Sequence, residues 1–105
     1  MYERNDRALS ILQELAATFI REEANTNPLI TVTRVEASSD FNHATIMVSV
    51  FPEAQEKDAL IFLKRKGAEF RDFVKKNGRF KYIPFFEFSI DFGEKNRRDL
   101  DEKGL

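Results

Sequence analysis

The sequence predicts an α+β domain in which a three-stranded sheet is covered on one face by helices, in the order α-β-β-α-α-β. Three observations carry this. Apolar residues recur every three or four positions over about 5–24 and again over about 54–76. Three other segments alternate apolar and polar residues with a period of two. A glycine, Gly67, interrupts the second helical pattern beside a lysine that does not fit it.

The first helix is expected from Asn5 to Ala24, where Ala8, Leu9, Leu12, Leu15, Ala16, Phe19 and Ile20 share one face. Asn5 or Asp6 is suited to cap its start, and Asn25-Thr26-Asn27-Pro28 to end it, because proline drives the residue before it out of helical geometry. The first strand, Ile30–Ser38, changes phase between Ile30/Val32 and Val35/Ala37, which predicts a bulge near Thr33. The second, Ala44–Phe51, alternates cleanly with Ala44, Ile46, Val48 and Val50 inward. The four residues Ser39-Asp40-Phe41-Asn42 are short enough to make the pair an antiparallel hairpin.

Projected on a helix, Leu60, Leu63, Gly67, Phe70 and Val74 form one stripe, with Ala59 and Phe73 beside it. Lys66 falls inside that apolar arc if the helix runs straight. Gly67 follows it, so two helices are expected, about 54–66 and 67–77, meeting at a kink and closed by Asn77-Gly78. The last strand, Pro84–Phe92, turns Phe86, Phe88, Ile90 and Phe92 toward the core, and Phe85, Glu87, Ser89 and Asp91 away from it. The domain is expected to span 1–92, with 93–105 a charged, flexible C-terminal tail. This order matches the type II KH-like arrangement, a fold used mainly on RNA.

Of the 105 residues, 42 % are hydrophobic, enough for one modest core. No cysteine is present, which excludes a disulfide framework and a thiolate metal site. No apolar run approaches the roughly 18–20 residues needed to span a bilayer, and the charged N-terminus has no signal-peptide core, so a cytoplasmic protein is expected. A catalytic triad would depend wholly on His43, at a hairpin exit, where a polar turn residue is the better reading. Gly67, Gly78, Gly93 and Gly104 are too scattered for a phosphate-binding loop. Neither catalytic activity, nor a metal, cofactor or small-molecule substrate is expected.

The net charge of −1 conceals segregation. Residues 64–81 hold eight Lys/Arg against Glu69 and Asp72, a local charge of +6. Cations on a rigid element neutralise phosphates and release counterions, so Lys64, Arg65, Lys66, Gly67, Arg71, Lys75, Lys76, Arg79 and Lys81 form the candidate RNA-binding surface. Arg4, Arg7 and Arg34 are possible extensions of it. Arg65-Lys66-Gly67-Ala68 stands at the position of the KH nucleic-acid turn with one glycine only, which favours contact with the backbone of folded RNA over clamping of a single strand. Among the phenylalanines Phe85, on the face opposite Phe86, Phe88 and Phe92, is the only one considered for a contact. A rival reading is a protein-interaction module using Glu53, Glu56, Asp58, Asp99 and Asp101; another, a basic helix on a membrane surface, requires Phe70 and Phe73 to leave the core.

The residues resemble the ribosome-binding factor A family over about 4–92. The resemblance rests on Arg4, Arg7, Ile11, Leu12, Leu15 and Phe19, on Asn27-Pro28-Leu29, and on TVTRVEASSDFNHATIMVSVF with Val35, Asp40, Ala44 and Val48-Ser49-Val50. It continues through Leu63, Lys66-Gly67, Phe70-Arg71 and Ile83-Pro84 before FEFSIDF. It implies a non-catalytic bacterial KH-like protein, expected to be monomeric, that binds the small ribosomal subunit and its rRNA and assists late maturation near the 5′ end of that RNA. Arg65 departs from the small residue, often Ala, that the family has two places before the kink glycine. The chain also ends soon after its last strand, so functions of longer C-terminal extensions are not carried over.

Overall fold

The apolar stripe of the first helix becomes the surface by which α1 (Tyr2–Glu23) packs on the sheet and on a later helix. Leu12, Ala16, Phe19 and Ile20 are buried, as the spacing requires. The computed structural model describes residues 2–24 and 27–93, with backbone alone for 2–5; the expected tail lies almost entirely outside them.

Strands β1 (Leu29–Ala37) and β2 (His43–Phe51) pair antiparallel, and their register shifts between Val32 and Arg34. This is the bulge predicted at Thr33. The extra residue lets both Ile30/Val32 and Val35/Ala37 face the helices despite their opposite phase. In the connecting turn, Asp40 Oδ1 accepts from Ser38 Oγ at 2.7 Å and from the Asn42 N–H at 3.0 Å. The Ser38 hydroxyl chiefly, and then the Asn42 amide, hold the Asp40 carboxyl below its ordinary pKa.

After Pro52 a single 3-10 turn (Glu53–Gln55) leads into α2 (Glu56–Arg65), then α3 (Gly67–Asn77). The predicted break is present. Leu63, Phe70 and Val74 are fully buried. Phe70 is the hub of the core: its ring lies 5.3 Å from Phe19 on α1, and 4.8 and 5.7 Å from Phe86 and Phe88 on the last strand. These tilted and edge-on pairs suit the aromatic quadrupole.

The last strand, β3 (Phe85–Ile90), pairs parallel with β2, giving a mixed sheet of order β1-β2-β3. Phe88 and Ile90 are buried as expected. One residue corrects the pattern: Phe92 was expected in the core but is 60 % exposed. Asp91 continues the ladder through its N–H to Val48 O and so keeps the expected side, but it is covered there, at 4 % exposed. Its carboxylate accepts a hydrogen bond from the bulged Thr33 at 2.6 Å.

Candidate nucleic-acid interface

The joint between α2 and α3 is one residue. Lys66 has φ −88 and ψ 3, its N–H bonds back to Phe62 and Leu63, and its carbonyl accepts from the Phe70 N–H at 2.8 Å. One helix therefore stops where the next begins. This turn removes Lys66 from the apolar arc and swings its ammonium toward α1, 3.3 Å from Glu23 Oε1 and 3.4 Å from Glu69 Oε2. The hydrogen bond to Glu23, and then that to Glu69, raise its pKa above the ordinary lysine value. Lys66 thus links the end of α1 to the kink through two carboxylates.

Beside the kink opens a groove of ≈ 620 Å³. Lys64, Gly67, Ala68 and Arg71 form its helical wall, and Phe85, Phe86, Glu87 and Phe88 of β3 face them. The Phe85 N–H bonds to Asn42 O and the Asp91 N–H to Val48 O. In this parallel register, Phe86, Phe88 and Ile90 turn their backbone polar groups away from β2. The groove therefore follows the outer edge of the sheet. A Cβ added at Gly67 would meet nothing within 4 Å, so the bare backbone there is accessible.

The basic residues divide into two kinds. Arg71 is half-buried, and its guanidinium donates to Pro84 O at 3.0 Å and to Ile83 O at 3.4 Å, fixing the entry to β3. Lys64, Arg65, Lys75, Lys76, Arg79 and Lys81 are exposed. Among the described residues none of these six pairs with a carboxylate. They are the available cations. Arg7 is exposed on α1, away from the groove lining. Arg34 lies on β1, at the far edge of the sheet, and pairs with Glu36 at 3.1 Å and with Asp91 at 3.7 Å. The Arg4 side chain lies outside the described residues.

One group escaped the sequence reading. Tyr82, in the loop between α3 and β3, is 58 % exposed, and its hydroxyl donates to Asn42 Oδ1 at 2.6 Å. His43 stands edge-on to Phe85, with ring centroids 5.9 Å apart, and Phe85 is 59 % exposed. The hairpin and this loop also meet through Phe41 and Phe80. Tyr82 has no periodic neighbours to mark it; the only signal was an aromatic residue one position after Lys81.

The family model described as "Ribosome-binding factor A" matches residues 4–103. The chain belongs to the ribosome-binding factor A family. A relative from Chlorobaculum tepidum is 36 % identical over 100 residues, covering 90 % of this chain and 83 % of its own. One from Chlamydia pneumoniae is 36 % identical over 93 residues, covering 84 % and 78 %. The crystal structure of ribosome-binding factor A from Thermus thermophilus shares the fold, with a TM-score of 0.73 at 24 % identity over 81 % of this chain and 92 % of that one. A Thermus thermophilus ribosome-binding factor A homology model fitted into a cryo-EM map of its complex with 30S is also similar, with a TM-score of 0.66 at 25 % identity over 75 % of this chain and 86 % of that one.

Proposed function

We propose that this chain binds the small ribosomal subunit during its assembly and assists late maturation of the subunit's RNA, acting in the cytoplasm as a monomer. Its family is one of ribosome assembly factors, not enzymes. The observation that carries the reading to particular residues is the row of exposed, unpaired cations, Lys64, Arg65, Lys75, Lys76, Arg79 and Lys81, on a rigid helix pair and the loop after it. Such an array grips phosphates and reads shape more than sequence. Occupying one RNA conformation shifts its population without any cofactor. No helix of the described residues is long and apolar enough to cross a membrane.

The test replaces Lys64, Lys75 and Lys76 together with glutamate, leaving Arg71 intact because its side chain holds the β3 entry. The folded variant is expected to lose co-sedimentation with small subunits. Undiminished co-sedimentation would overturn the proposal. Loss of subunit binding on reversing Glu53 and Asp58 instead would point to an acidic protein-contact surface.

A further inference from the structure

We propose that Tyr82 and Phe85 form a stacking platform for unpaired RNA bases at the mouth of the basic groove. The inference rests on RNA being the partner and names which part of the RNA this end of the molecule takes.

Both rings are more than half exposed, at 58 % and 59 %, although an aromatic side chain ordinarily gains by burial. Both are also held in place. The Tyr82 hydroxyl is anchored on Asn42 Oδ1 at 2.6 Å, and Asn42 is itself fixed through its Nδ2, which donates to Asp40 Oδ2 at 2.8 Å. Phe85 opens β3 with its N–H on Asn42 O, and the His43 ring stands at 64° to it, centroids 5.9 Å apart. A ring fixed in this way loses little entropy when a base stacks on it. The surrounding charge suits the same ligand: Arg79 and Lys81 are exposed in the Tyr82 loop, and Phe85 borders the groove that Lys64 lines. Phosphates can thus be held while bases meet the rings. Stacking on a ring needs a base with a free face, so unpaired nucleotides fit and duplex RNA does not.

The experiment uses the full chain, with an unstructured single-stranded RNA oligonucleotide and an RNA duplex as probes, at several salt concentrations. Tyr82→Leu and Phe85→Leu keep apolar bulk and remove the aromatic faces. Each is expected to weaken single-strand binding about tenfold, with duplex binding and the slope of log affinity against log salt unchanged. Tyr82→Phe keeps the face but frees the ring from Asn42, and is expected to weaken single-strand binding less than Tyr82→Leu does. Equal losses on both probes, no loss on the single strand, or a changed salt slope would each overturn the platform. Its failure is separable from that of the function above: glutamate at Lys64, Lys75 and Lys76 would still abolish subunit association if only the platform is wrong.

Discussion

Thr33 and Asp91, 58 positions apart, are joined by a 2.6 Å hydrogen bond that reaches across the central strand. The Thr33 hydroxyl has one hydrogen to give. Met47 O is also near it, at 3.2 Å, but the Asp91 carboxylate is closer, so it accepts the hydrogen bond. The bulge in β1 is what brings Thr33 within reach, and the end of β3 is pinned there.

Thr33→Val removes the donor while keeping the side-chain shape, and it takes a hydrogen bond from a buried carboxylate. It is expected to destabilise the domain by about 1–3 kcal/mol. Thr33→Ser, which keeps the hydroxyl, should cost less. Urea denaturation of the two variants decides the matter: a larger loss in Thr33→Ser than in Thr33→Val would mean that packing of the Thr33 methyl, not the bond, is what counts.

That pair also shows where sequence reading reaches and where it stops. The phase change around Thr33 announced the bulge, and the misfit of Lys66 beside Gly67 announced the kink, because both are violations of a local period. The destination of a side chain leaving a broken period is not local. Asp91 was assigned to the open side by alternation, but nothing local could show that Thr33 on the far strand meets and covers it there. Lys66 was counted among RNA-binding cations, yet it is claimed by Glu23, 43 positions earlier. Tyr82 lay in a loop with no period to violate.

Lys66 is expected to behave differently from its neighbour Lys64. Because two carboxylates already neutralise its ammonium, Lys66→Met should weaken small-subunit association less than Lys64→Met does. Its contribution is to stability, and the sign follows from the raised pKa. The ion pairs are fully present below the unfolded value of about 10.4 and are lost as pH rises through the higher folded value. The stability gap between wild type and Lys66→Met in urea should therefore hold at neutral pH, shrink with added salt, and close in strong alkali. A gap that persists there would assign the effect to packing of the lysine over the Phe62 ring, whose centroid lies 5.8 Å from Nζ.

Arg79 offers a way to separate binding from folding. Its backbone has φ 53, the left-handed region, which costs a side-chain-bearing residue on the order of 1 kcal/mol. Arg79→Gly relieves that strain but raises the entropy of the unfolded chain by a similar amount. Stability should change by less than about 1 kcal/mol, the two effects being opposed. If Arg79 contacts a phosphate, the slope of log affinity for RNA against log salt should become shallower by about one unit. Thermal denaturation and a salt titration, run on one preparation, check both expectations; an unchanged slope would remove Arg79 from the interface.

The two helix-end glycines are expected to respond in opposite ways. At Gly78 an added Cβ would lie 2.6 Å from the Phe80 ring and 2.8 Å from Val74 O. The ring can swing aside, but the carbonyl belongs to the last turn of α3 and accepts the Gly78 N–H. Gly78→Ala should therefore destabilise by about 1–3 kcal/mol. At Gly67 the new methyl meets nothing within 4 Å, and the residue opens a helix, so Gly67→Ala should stabilise by about 0.4–1 kcal/mol. The fold therefore has no steric need for glycine at 67. The groove does, if RNA backbone approaches the kink closely, because a methyl would stand in its path. Gly67→Ala is then expected to raise the melting temperature and lower small-subunit association in the same protein. A variant that melts higher and associates as wild type does would place the RNA contact on the surrounding cations alone.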